Sequence, residues 1–334
     1  MEYRVPHLES QEGPIVKTCS CGKPFFTEVH FLTGTSHWQL QSNASLSFRC
    51  QCQKTLILEK NQFHWYADDP TVDVGQLSLF NFIHNKLKIP YETRVLTGIQ
   101  VELSRAFPNL EKIADHLKQD PLFAAQLFEQ ARGRSAGDID TYRDLASWAS
   151  ANEMMALVDL ALIRSSDLVG TAFTSQHYFE DASEVARFAV ALAEKCPERV
   201  SIFQLSLGAA LCNLGKWVVA AFRPGVADHI MQIVNDPKQP VPWLFAERKV
   251  SPYNHCIVGE VAGALWGLPN FVRQCIRKHH TIGEGSHLEM FELVGLANQL
   301  YHREAFEDHL IDESYFKNLS ERALSLGIDV DHVD

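Results

Sequence analysis

The chain is short of positive charge. Lys and Arg total 30 against 41 Asp and Glu, a net charge of −11 over 334 residues. That balance argues against a general nucleic-acid binder or an anionic-membrane binder, because both need a basic field. The N-terminal MEYRVPHLESQEGP has no apolar run of signal-peptide length. Low-complexity tracts and internal repeats are lacking, as are a Walker motif and a Gly-x-Gly-x-x-Gly fingerprint. Serine and histidine occur together in TSQHYFED, but no spacing supports a Ser-His-Asp arrangement. The acidic tail ERALSLGIDVDHVD has no calcium-loop pattern and reads as solvated surface. The longest apolar run is SIFQLSLGAALCNLGKWVVAAF, 201–222. Gln204, Asn213 and Lys216 within it would be costly in lipid, so it reads as a buried core helix rather than a membrane span. A cytoplasmic location is the expectation.

What the chain has is an ordinary globular composition, 46% apolar and 21% charged, and eight cysteines. Its length suits two or three domains. Before about residue 67, FFTEVHFL, SLSFRC, TLILEK and QFHWY read as strands. ADDPTVDVG, 67–75, reads as a linker, and the rest reads as helix almost to the end. In QDPLFAAQLFEQARG, Asp120 can cap, Pro121 fits the first helical position and Gly133 can close. Val185, Phe188, Ala189 and Leu192 form one apolar stripe at helical spacing. In SPYNHCIVGEVAGALWGLP, Ser251 is expected to cap, Pro252 to start the helix, Gly267 to end it and Pro269 to open the next.

In a reducing compartment, cysteines serve as thiols or metal ligands rather than disulfides. Cys19, Cys21, Cys50 and Cys52 form two Cys-x-Cys pairs flanking an apparent β-hairpin. Four thiolates suit a structural zinc ion, which would add folding energy to about sixty residues of short strands with little core. The usual ribbon spacing is Cys-x-x-Cys, so free thiols or redox-sensitive pairs stand as the alternative. Lys17, Lys23, Arg49 and Lys54 lie near these cysteines, and Phe25, Phe26 and Trp38 could stack on bases. That gives a subsidiary nucleic-acid reading, which the overall acidity disfavours.

The helical part carries a family signature. NHCIVGEVAGALWGLPNFVRQCIRKHH, 254–280, resembles the HDOD domain, with its histidine, Gly-x-x-x-Ala helix, Trp-x-x-Pro turn and closing His-His. The segment from 89 to 131, opening Ile-Pro and carrying Asp-Pro before a helix, resembles the start of that family. SLGAALCNLGKWVV, 206–219, resembles its Gly-Leu-Leu-His-Asp-Ile-Gly-Lys helix. The resemblance implies an all-helical HD-like fold over 81–302, after a β-rich zinc-ribbon-like domain over 1–66 and a linker over 67–80. A helical tail follows over 303–334.

In HD phosphohydrolases, to which HDOD domains are related, a histidine, a His-Asp pair and a later aspartate hold divalent metal for phosphoester hydrolysis. Here the His-Asp pair is Cys212-Asn213, the last aspartate corresponds to Asn298, and the first histidine falls near Asp181 or Ser183. His255, His279 and His280 remain. They read as hydrogen-bonded packing around a vestigial cleft, or as a mononuclear site with Cys212 or Asp181, or as a small-ligand pocket to which Lys216 offers charge.

The expected function is regulation without catalysis, through a protein partner or a small phosphorylated ligand. A divergent metal-dependent phosphohydrolase is the alternative.

Overall fold

Helix-forming periodicity after residue 80 becomes a bundle of short helices in the computed structural model. It describes residues 82–333 apart from 84–85, 135–138, 165–172, 196–200, 252–253, 285–287 and 307–310, and five short N-terminal strands. These are β1 (Val16–Thr18), β2 (Pro24–Phe26), β3 (Trp38–Leu40), β4 (Leu46–Arg49) and β5 (Thr55–Leu58). β1 pairs antiparallel with β2, and β3-β4-β5 form a second antiparallel set. In sequence, Cys19 and Cys21 stand between β1 and β2, and Cys50 and Cys52 between β4 and β5. The four cysteines and the expected strand QFHWY lie outside the described residues.

Fourteen α-helices follow among the described residues. The first five are α1 (Thr93–Leu103), α2 (Leu110–Gln119), α3 (Pro121–Gly133), α4 (Tyr142–Ser147) and α5 (Ala151–Arg164). Asp120 caps α3 as expected, with Oδ1 accepting from the Phe123 N–H at 2.9 Å. Its Oδ2 accepts from the Glu92 N–H at 2.8 Å, which ties the start of α1 to the start of α3. Leu96, Ile99, Ile113, Leu117, Leu122 and Leu127 fill the core between these helices.

α6 (Ser175–Glu194) buries the predicted stripe of Val185, Phe188, Ala189 and Leu192. The apolar run after it is not one helix but two, α7 (Ile202–Leu211) and α8 (Leu214–Phe222). They part at Cys212 and Asn213, where the Asn213 backbone (φ −91°, ψ 9°) leaves helical geometry. Asn gives up little by leaving a helix, because its side chain competes with the backbone for hydrogen bonds. The run is long and apolar enough to cross a membrane, yet 83% of its most apolar stretch is buried inside the bundle.

The remaining helices are α9 (Pro224–Val234), α10 (Trp243–Val250), α11 (His255–Leu265), α12 (Asn270–Lys278), α13 (Met290–Phe306) and α14 (Glu313–Ser325). Here one expectation is corrected. α11 is capped by Asn254, whose Oδ1 accepts from the Ile257 N–H at 3.0 Å. Ser251 instead closes α10, with its N–H bonded to the Glu247 carbonyl at 2.8 Å. Asn is as good a cap as Ser and lies directly before the first helical residue. Gly267 adopts φ +72° after α11, and Pro269 precedes α12, as expected.

α8 and α11 cross at two glycines. A Cβ on Gly215 would collide with the His255 carbonyl, and one on Gly259 with the Gly215 backbone. This contact brings the start of α8, with Lys216, against the start of α11, with His255. α13 makes a similar approach, as a Cβ on Gly295 would meet the His279 carbonyl and the Tyr315 hydroxyl. Gly215→Ala should therefore destabilise the fold by about 1–3 kcal/mol, because the clash is with backbone that cannot rotate away. Urea unfolding checks this; the control Gly225→Ala, where nothing lies within 4 Å of the added Cβ, should unfold like wild type.

Candidate functional site

The histidines singled out in the sequence converge. His255 opens α11, His279 ends α12 and His280 follows it. The His255 and His279 ring centroids are 5.2 Å apart, those of His255 and His280 5.2 Å, and those of His279 and His280 4.2 Å. His255 and His279 are completely buried, and His280 is half-buried.

Two partners absent from the sequence reading complete the cluster. Glu247 on α10, also completely buried, accepts from His255 Nδ1 at 2.8 Å, from the His255 N–H at 3.1 Å and from Trp243 Nε1 at 2.9 Å. Cys256 places Sγ 3.7 Å from His255 Nε2. Adjacency to His255 was the only sequence signal for Cys256. Glu247 had none, because its link to His255 is made by the turn between α10 and α11.

Tautomers follow from the partners. His279 Nδ1 lies 3.2 Å and 3.0 Å from the carbonyls of Cys275 and Ile276, which can only accept, so Nδ1 carries the hydrogen. His255 Nδ1 donates to Glu247 in the same way. Both Nε2 atoms therefore point lone pairs at each other across 3.2 Å. A positive species has to sit between them, since two bare lone pairs repel. The raised pKa of His255 puts a proton there. Burial alone would lower the pKa of His255, but the neighbouring Cys256 and Glu247 more than reverse this and raise it from 6.5 to about 9. His279 is held well below its ordinary value by burial and by the His255 charge. His280 is held low by burial and by its histidine neighbours and Lys216.

Asn213 and Asn298, expected at the places of HD-type carboxylates, also meet. Asn213 Nδ2 donates to Asn298 Oδ1 at 2.8 Å, joining the α7–α8 break to α13 in a buried amide pair. Lys216 is buried with Nζ 5.1 Å from the Trp243 ring centroid. Lys216, His280, Asn298, His302 and Asp312 share a cavity of only about 20 Å³. The other two expected residues do not join the histidines. Cys212 packs in the second core group among Val185, Leu205, Cys275 and Val294, where burial raises its thiol pKa far above normal. Asp181 faces away on α6, accepting from the Tyr301 hydroxyl at 2.6 Å. Ser183 lines a separate groove of about 700 Å³ between α2, α4, α6 and α7.

An all-helical bundle with this His–His–Trp-x-x-Pro arrangement defines an HD-like domain. A family model described as the HDOD domain matches residues 89–282, and the chain belongs to the HDOD family. Two solved structures with TM-scores of 0.50 or more share the fold. A virulence factor from Campylobacter jejuni is 18% identical, with 77% of this chain and 92% of that one covered and a TM-score of 0.51. The MmoQ response regulator from Methylococcus capsulatus is 15% identical, with 72% and 94% covered and a TM-score of 0.50. An HDOD domain protein from Geobacter sulfurreducens is 19% identical, with 78% and 93% covered and a TM-score of 0.46. No curated protein matches the chain.

The His255 proton makes stability pH-dependent. A folded pKa above the unfolded 6.5 gives stability that is complete below pH 6.5 and is lost as pH rises through about 9. With a chelator present, wild type should lose on the order of 3 kcal/mol across that window. Glu247→Gln should lose much less over the same range, and chemical denaturation at pH 6, 7.5 and 9 measures the difference.

Proposed function

We propose that the chain is a signalling HDOD domain that acts by binding and not by turnover. The observation that carries this reading is the Asn213–Asn298 pair. Two neutral amides spend their polar groups on each other where HD-type hydrolysis needs two negative oxygen donors. Cys212 cannot stand in for the missing imidazole, because its side chain points into an apolar core.

The binding mode follows from volume. A cavity of about 20 Å³ beside Lys216 has room for about one water and none for a phosphorylated metabolite. A small phosphorylated ligand is thereby excluded from the histidine cleft, and a protein partner engaging the outer surface of the bundle is the reading kept. The Methylococcus fold relative is called a response regulator, which agrees with a signalling role. In this reading residues 1–66 form a small interaction module in which Cys19, Cys21, Cys50 and Cys52 hold a structural zinc ion. The acidity of the whole chain leaves nucleic acid a poor candidate for its partner.

Purified protein supplied with Mn²⁺ or Mg²⁺ should show no hydrolysis of bis(4-nitrophenyl) phosphate or of 5′-nucleotides above blank. Turnover that disappears in His255→Ala would overturn the non-catalytic reading and install a divergent phosphohydrolase in its place. Elemental analysis should show the N-terminal zinc, one ion per chain fewer after Cys50→Ser and Cys52→Ser together.

A further inference from the structure

The two lone pairs facing each other at the centre of the bundle suit a metal ion as well as a proton. We propose that His255, Cys256, His279 and His280 form a mononuclear site for a borderline divalent cation of the zinc class. It is distinct both from the N-terminal cysteines and from the lost HD-type metal set.

Four observations support it. First, one ligand atom from each of the four residues lies within 4.8 Å of all the others. Second, two of the spacings approach those of tetrahedral coordination, within a set that spans up to 4.8 Å. Two imidazole nitrogens on one zinc ion stand about 3.3–3.4 Å apart, and a nitrogen and a thiolate sulfur about 3.5–3.6 Å. The observed separations are 3.2 Å between the two Nε2 atoms and 3.7 Å from Cys256 Sγ to His255 Nε2. Third, the outer partners are those of a metal-bound histidine. Nδ1 of His255 is fixed by the Glu247 carboxylate, and Nδ1 of His279 by two carbonyls, so both Nε2 atoms are turned inward as acceptors. Fourth, the completely buried Glu247 carboxylate sets negative charge directly behind the His255 ligand.

Lys216 also faces the cluster, and its positive charge, which helps hold the pKa values of His279 and His280 down, opposes a cation there. Asp312 lines the same cavity as Lys216. Half-buried His280 borders that cavity and gives the ion its way in. With all four positions taken by protein, the ion has no open position for water. Its role is to cross-link α11 to the end of α12, which is compatible with the absence of turnover and does not depend on a partner.

Cobalt titration of the full-length protein tests the site. Wild type should show a tetrahedral ligand-field spectrum with thiolate-to-cobalt charge transfer, part of which is absent in Cys256→Ser and in His279→Gln. The N-terminal cysteines contribute equally to all three proteins and cancel in the differences. Glu247→Gln, which keeps the four ligands, should bind about 10–100-fold more weakly. Long-range ¹⁵N–¹H spectra of wild-type histidines give a readout without any substitution, since Zn²⁺ should shift Nε2 of His255 and His279. Spectra identical in wild type and Cys256→Ser, or imidazole resonances unmoved by Zn²⁺, would overturn the site. Neither result bears on phosphoester turnover, so the site and the non-catalytic reading stand or fall separately.

Discussion

The buried contact between His255 and Glu247 governs the centre of this molecule. Both groups are completely removed from solvent, and a lone charge there would cost several kcal/mol. Each is acceptable only because the other is present and because Trp243 and the His255 backbone satisfy the rest of the carboxylate. Three helices are fixed by that requirement. α10 supplies the acid, α11 the first imidazole, and α12 the second imidazole that receives the shared proton. The glycine crossing of α8 and α11 is its steric counterpart, for only a residue without a Cβ lets Lys216 and Asn213 come so close to His255.

Beside this centre lies a second buried polar contact. The amide pair of Asn213 and Asn298 keeps α13 joined to the α7–α8 break, the job a shared metal does elsewhere, but with neutral groups. A neutral link needs no ion and no negative field, so the bundle can close over it. What remains of the cleft holds about one water's worth of space. The neutral amide pair and the small cavity thus lie side by side in the same part of the bundle.

Local chemistry was readable in the sequence wherever a single residue decides it. Asp120 before Pro121, the φ +72° glycine at 267 and Pro269 all did what their covalent structure favours. Ser251 misled because a second good cap, Asn254, stood closer to the helix, and only the path of the chain after α10 chooses between them. The break at Cys212–Asn213 was hidden inside an apolar run that has no Gly-Pro punctuation. His255, His279 and His280 were visible through their motif, whereas Glu247 and Cys256 were not, since tertiary packing alone gives them their roles. Asp181 shows the opposite failure: an acid at a suggestive place along the chain whose side chain is spent on Tyr301.

The family match stops at residue 282, but the fold does not. Tyr315 on α14 donates to the His279 carbonyl at 2.6 Å, and Gly295 on α13 leaves room for that bond. Glu292, fully buried, accepts from the N–H groups of Gly283 and Glu289 and pairs with Arg322 at 3.2 Å. The last helices are thereby clamped onto the segment that carries His279 and His280. Trimming the protein at the family boundary would leave that segment with an unanswered carbonyl and a bare apolar flank, so the shortest self-sufficient version of this domain reaches at least to α14.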